Sequence, residues 1–220
     1  MYEELKQEIM SAYEKIANEF QDKISGSLIT LKVDADTYIT RCKRKDNHHL
    51  TMDDLIVVDS EGKVLDGDNK EPDFRFFVDH KVMNEFQWMK CMVHSTCKYS
   101  YMWAQTGVGL PPLTIAHAMN YWGEIPVTAP ILYSRNDDLV EYISEEVLEI
   151  LRHRNPQKCR SLFARKMDAM IWGEQLDDTI ELVGTLETLS ENGWHVSTEC
   201  AGCMEYLPYA LVDDIYHLYN

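Results

Sequence analysis

The side chains with the right chemistry for a site in this sequence are a few histidines, cysteines and basic residues near the ends of apolar runs. His94 closes the run Trp88-Met89-Lys90-Cys91-Met92-Val93, and strand ends are where α/β folds commonly build sites. Cys91 and Cys97 flank it, and a couple of His94 with Cys97 has the residue types of nucleophilic catalysis, in which an imidazole takes the thiol proton. Cysteines beside a core strand usually act as small hydrophobes, and packing is the reading adopted for both. Cys200-Ala201-Gly202-Cys203, after His195, has the spacing of a redox or metal pair. Without a second pair such spacing points to packing. His48-His49 follows Arg44-Lys45-Asp46-Asn47 and reads as a surface loop. The basic clusters Arg41-Cys42-Lys43-Arg44-Lys45, Arg152-His153-Arg154 and Arg165-Lys166 are short enough to be solvated turns.

The elements that must position these residues follow from periodicity. Leu5, Ile9, Tyr13, Ile16 and Phe20 recur at three- and four-residue steps, the stripe of an amphipathic helix over the first twenty residues. Ile29 to Val33 and Thr37 to Thr40 are β-branched runs around the turn Asp34-Ala35-Asp36, which predicts a hairpin. Thr51-Met52-Asp53-Asp54 predicts one capped helical turn before a strand at Leu55 to Val58, and Ser60 to Lys63 turns into Val64-Leu65. Helices are expected over 73–86, 96–104, 114–121, 137–152 and 177–189. Strands are expected at 88–93, 161–164 and 169–172, with 124–127 extended. Gly107-Val108-Gly109-Leu110-Pro111-Pro112 is a loop and not a phosphate-cradling fingerprint, because no helix starts behind it. The tail from Trp194 is aromatic and acidic and has no assigned element. Helices alternating with short, hairpin-linked strands predict an α/β fold, an α/β/α sandwich on a mixed, mainly antiparallel sheet.

Composition narrows the function. With 220 residues and 45 % hydrophobic content, a single domain over residues 1–220 is expected. A net charge of −16 disfavours nucleic acid and anionic membrane as partners, since phosphate binding needs a clustered basic face, and leaves a small ligand or a protein. No apolar run is long enough to span a bilayer, the start is charged and helix-patterned, and six cysteines are few. A cytoplasmic protein with reduced thiols is the expectation.

Several segments, in order, resemble the class II aldolase/adducin family. Leu50-Thr51-Met52-Asp53-Asp54-Leu55-Ile56-Val57-Val58-Asp59 with Gly62-Lys63-Val64 is similar to its LTPEDLVVVD…GKV segment. Met92-Val93-His94-Ser95-Thr96, with Tyr99 beyond it, resembles its V-H-T-H strand end. Pro111-Pro112, His117-Ala118 and Gly123-Glu124-Ile125-Pro126-Val127 resemble the loop, helix and G-x-I-P-V strand that follow, and Ile171-Trp172-Gly173 its closing V-W-G. The likeness is strongest over residues 1–190, leaving 191–220 as a C-terminal tail.

The resemblance implies a sugar-phosphate lyase or epimerase, assembled as a homotetramer, in which three histidines hold a zinc ion that stabilises an enediolate. Of those histidines only His94 is retained; the second position is Thr96, and the third is Met167 in Arg165-Lys166-Met167-Asp168, where the family has Arg-Asn-His-Gly. The proton-handling glutamate falls on Arg75. The phosphate loop becomes Ser27-Leu28-Ile29-Thr30, and the serine pair becomes Asp73-Phe74.

One imidazole, a hydroxyl and a thioether do not make a zinc site, so no metal is expected. A divalent cation beside a carboxylate and a lone arginine carry the same net charge. Arg75, with Lys166, is thus a candidate to hold an anion, and His94 or Asp168 to move a proton. Ser27, Thr30, Arg41, Lys43, Asp73, Thr96 and Tyr99 are the further candidates for binding a small carbonyl or anionic ligand. The competing reading makes Arg75 a structural ion pair with Asp73, Asp79 or Asp168. Two functions are therefore expected to compete: a non-catalytic binding protein, comparable to the adducin head, or a metal-independent lyase, isomerase or decarboxylase. The alternative is a zinc-dependent sugar-phosphate aldolase or epimerase with a rearranged site, for instance His80, His94 and His117.

Overall fold

The computed structural model describes residues 2–20, 22, 26–43, 50–67, 70–130, 138–200 and 205–220. The N-terminal stripe forms α1 (Tyr2–Glu19), which buries Ile9, Tyr13 and Ile16. The predicted hairpin is β1 (Leu28–Lys32) and β2 (Thr37–Arg41), paired antiparallel. A 3-10 turn at Met52–Asp54, where the Asp54 carboxylate accepts from the Thr51 amide at 2.8 Å and from its hydroxyl at 3.0 Å, leads into β3 (Leu55–Asp59), and β4 (Val64–Asp66) returns along it. Then come α2 (Arg75–Glu85), β5 (Cys91–Ser95), α3 (Lys98–Thr106) and α4 (Ile115–Asn120). Next are α5 (Leu139–His153), β6 (Ser161–Ala164), β7 (Asp168–Gly173), α6 (Leu176–Glu199) and α7 (Tyr209–Tyr219).

The strands form one sheet in the order β4-β3-β2-β1-β5-β7-β6, and every ladder between described strands is antiparallel. The parallel component of the expected mixed sheet is a single bridge, Val127 to Phe163, and segment 124–127 supplies bridges rather than a strand. Side chains alternate between the faces of the sheet, and the core divides accordingly. Ile29, Cys91, Val93 and Ile171 face α1, α3 and α6, whereas Tyr38, Ile56, Met92, Met170 and Trp172 face α2 and α5. The sheet is thus the middle layer of an α/β/α sandwich. No helix among the described residues is long and apolar enough to cross a membrane.

Two expectations need correction. The helix expected over 177–189 runs on to Glu199, through Gly193, because its C-terminal half packs on α3. The strand expected over 88–93 begins at Cys91 and includes His94, so the imidazole lies within the sheet and not beyond it.

Candidate functional site, a closed ionic cluster

Strand alternation places His94 on the same face as Met92, and Asp168 on the same face as Met170 and Trp172. That face is covered by α2, whose Arg75 and Asp79 are four residues apart and share one side of the helix. The four side chains therefore meet where α2 crosses β5 and β7. His94 is wholly buried, its Nδ1 2.9 Å from Asp168 Oδ1 and its Nε2 2.8 Å from Asp79 Oδ1. Burial alone would lower its pKa. Asp168 and then Asp79 outweigh that and push it up to about 10, so at neutral pH the ring is an imidazolium donating from both nitrogens.

Arg75 closes the other side. Its Nε and Nη2 donate to the two oxygens of Asp73, at 3.0 and 2.9 Å, and its Nη1 donates to the Gly26 carbonyl at 2.9 Å and to Asp168 Oδ2 at 3.3 Å. Against the cost of burial, the guanidinium holds the Asp73 carboxyl down at about 2. Arg41 Nη2 is 3.5 Å from the same carboxylate, and its Nη1 donates to the Ser27 carbonyl at 2.9 Å. Thr30 Oγ1 donates to Asp79 Oδ2 at 2.6 Å and lies 3.2 Å from Thr40 Oγ1, which must then be the donor in that contact. The cations Arg41, Arg75 and His94 balance the carboxylates Asp73, Asp79 and Asp168, so the cluster is neutral although it is buried.

A second polar knot adjoins it. Thr96 Oγ1 donates to Asp22 at 2.8 Å, and the Thr96 amide donates to Ser27 Oγ at 3.1 Å. Of the sequence candidates, His94, Asp168, Arg75, Asp73, Arg41, Thr30, Ser27 and Thr96 therefore lie together. Arg41 is buried, which corrects its reading as a solvated turn. Lys43, Lys166 and Tyr99 do not join. Lys43 is exposed, 4.0 Å from Glu71, and Lys166 is exposed with φ 69° at the β6–β7 turn. The Tyr99 ring lies 6.0 Å from that of His195 on α6. Sequence reasoning assigned no role to Thr40 or Asp22 and gave Asp79 only as a possible partner of Arg75; the four-residue step from Arg75 was the available signal for Asp79.

The cysteine readings separate in the same way. Cys91 and Cys97 are buried and their thiols are raised, Cys91 to about 12, by burial above all, so neither is a thiolate nucleophile at neutral pH. Cys200 is exposed, whereas Cys203, Arg44, Lys45, His48 and His49 lie outside the described residues.

The likeness to known proteins follows this architecture. The class II aldolase and adducin N-terminal domain matches residues 7–193. The chain belongs to that family. The L-ribulose-5-phosphate 4-epimerase UlaF of Salmonella paratyphi C is 24% identical over 148 residues, 66% of this chain and 64% of that protein. The chain thus spans just under two thirds of that relative's length. Among solved structures, an L-fuculose 1-phosphate aldolase superposes with a TM-score of 0.77 at 14% identity, covering 98% of this chain and 96% of that one. The L-fuculose-1-phosphate aldolase of Thermus thermophilus gives 0.70 at 18% identity, covering 92% and 100%. At these identities the structures establish the fold alone.

The zinc ion usual in class II aldolases does not fit the side chains present here. Both nitrogens of His94 face carboxylates, the Thr96 hydroxyl is turned to Asp22, and Met167 is a thioether packed beside the α2–α5 core. His80 stacks near Phe76, and His117 holds the Gly123 carbonyl at 2.7 Å, so neither converges with His94. Among the described residues no three His, Cys, Asp or Glu side chains are arranged to hold a metal.

Proposed function

We propose that this class II aldolase-family protein acts by binding and not by metal-dependent turnover, its cleft converted into a structural ionic core. The observation that carries this is the double engagement of His94, between Asp79 and Asp168 with no exposed surface. A general base must reach a substrate proton with a free lone pair, and an imidazolium closed in by two carboxylates has none. Arg75 likewise spends its Nε, Nη1 and Nη2 on Asp73, Gly26 and Asp168, which leaves little donor capacity for an oxyanion. The ligand class consistent with the charge balance is a small molecule or protein rather than nucleic acid, and family analogy adds a cytoplasmic homotetramer, which sedimentation velocity would read directly.

The test is a pair of assays with and without added zinc, cleavage of L-fuculose 1-phosphate and epimerisation of L-ribulose 5-phosphate, for wild type and His94→Ala. The expected result is the same background rate in all samples. Zinc-dependent turnover lost in His94→Ala would restore the sugar-phosphate aldolase or epimerase reading. Metal-independent turnover lost in Arg75→Gln would assign a repurposed lyase.

A further inference from the structure

A cation taken out of water needs a carboxylate or several acceptors beside it, and the other basic side chains buried in this protein have one. Lys6 reaches Asp66 at 2.7 Å, Arg75 holds Asp73 and Asp168, and Arg41 lies 3.5 Å from Asp73. Lys32, 8% exposed at the end of β1, has neither an ion pair nor a side-chain hydrogen bond among the described residues. Its ammonium stands 5.6 Å from the centre of the Tyr38 ring, near the outer limit of a cation–π contact. The strand holds it there, since the Lys32 amide donates to the Lys90 carbonyl at 2.7 Å.

The charged groups around it are mostly of its own sign. Burial and then Lys90, just before β5, lower the Lys32 pKa. His80 on α2, whose ring lies 5.5 Å from that of Tyr38, is lowered by burial, by Lys32 and by Lys81, with Asp36 opposing. Asp36 and Asp34 also raise Tyr38, while Lys81 is paired with Glu141. Lys32 therefore holds more neutral, nucleophilic amine at neutral pH than an ordinary lysine, and its surroundings favour an adduct that is an anion. An acyl group would leave a neutral amide that gains nothing from Lys90. Carbon dioxide is uncharged, fits the narrow access to this side chain, and leaves a carboxylate. We propose that Lys32 is a carbon dioxide site, its amine forming a carbamate that Lys90 stabilises. The amine lone pair attacks the carbon, the N–C bond forms as one C=O electron pair moves onto oxygen, and the nitrogen loses one proton to solvent. No oxidant or cofactor takes part, and the side chain changes from cation to anion. The inference goes beyond the binding reading above and does not depend on it: neither outcome of the zinc assays bears on Lys32.

The full chain is equilibrated with isotope-labelled bicarbonate and carbon dioxide near neutral pH. Triethyloxonium then ethylates any carbamate to a stable ester, and mass spectrometry of the peptides locates the label. Label is expected at Lys32, about fivefold or more above the exposed Lys43 and Lys166. Lys32→Arg, which keeps the cation, should remove it. Lys90→Gln, which removes the neighbouring charge, should lower the label at Lys32 by about threefold or more. Cyanate serves as the control, because it also attacks neutral amines but leaves an uncharged urea, so its product gains nothing from Lys90. Absence of carbamate at Lys32, equal label on the exposed lysines, or indifference to Lys90→Gln would overturn the inference. So would cyanate modification of Lys32 without carbamate, which would make it a reactive amine and not a carbon dioxide site.

Discussion

Both ring nitrogens of His94 face carboxylates, Asp79 on one side and Asp168 on the other, and a metal ligand needs a free ring nitrogen. Removing one member of a buried ionic set leaves the others uncompensated, which typically costs about 3–5 kcal/mol. His94→Ala, which brings Asp79 and Asp168 face to face without a cation between them, is expected to lose stability in that range in urea unfolding. The pH dependence follows from the raised pKa. An unfolded histidine titrates near 6.5, and the folded one near 10. Its contribution is therefore complete below about pH 6.5 and is lost as the pH rises through about 10. Wild type should lose stability across that window, and His94→Gln, which cannot titrate, should lose less; equal slopes in the two proteins would count against an imidazolium here. His94, Arg75 and Asp168 were legible as a group from family-like spacing. Their pairing was not, because Asp79 belongs to the cluster through a helical step that many surface carboxylates also show, and only the crossing of α2 over β5 gives it meaning.

Among the elements, α3 and α6 depend on one another in a way that periodicity does not reveal. Cys97 precedes α3 without a capping side chain, and the buried carboxylate of Glu187, on α6, accepts from the amides of Tyr99 and Ser100 at 2.7 and 2.9 Å instead. This is an N-terminal cap supplied from another helix, aided by the helix dipole. Glu187→Ala should cost about 2–3 kcal/mol in chemical unfolding, since hydrogen bonds to a charged group are the stronger kind; a loss below that of an ordinary surface substitution would contradict the capping role. At the β6–β7 turn, the Met167 amide donates to the Ala164 carbonyl and Lys166 takes a left-handed conformation that disfavours residues with a Cβ. Lys166→Gly is expected to raise the thermal midpoint, by the equivalent of about 1 kcal/mol. The hairpins and α1 were legible because alternation and the three-to-four step dominate there. The second half of α6 and all of α7 were not, since Gly193 and the aromatic tail obscure their helical period and packing on α3 and α4 decides the outcome.

For the molecule as a whole, the sheet keeps two separate cores, and the cluster sits where the α2–α5 side of the sheet would otherwise continue as apolar packing. Its three cations and three carboxylates cancel, so a chain of net charge −16 carries a neutral polar core. Such a core fixes α2 against β5 and β7 through directional bonds more than through burial energy, because desolvation offsets most of the Coulomb attraction. Family membership and fold are shared with the class II aldolases while His94 is paired here with two carboxylates, which is why function has to be argued from the site and not from the family. The measurement that tests this most directly is elemental analysis of the purified, tag-free protein after incubation with zinc and gel filtration, beside His94→Ala. The account predicts zinc well below one ion per chain in both samples. Stoichiometric zinc in the wild type, lost in His94→Ala, would contradict it.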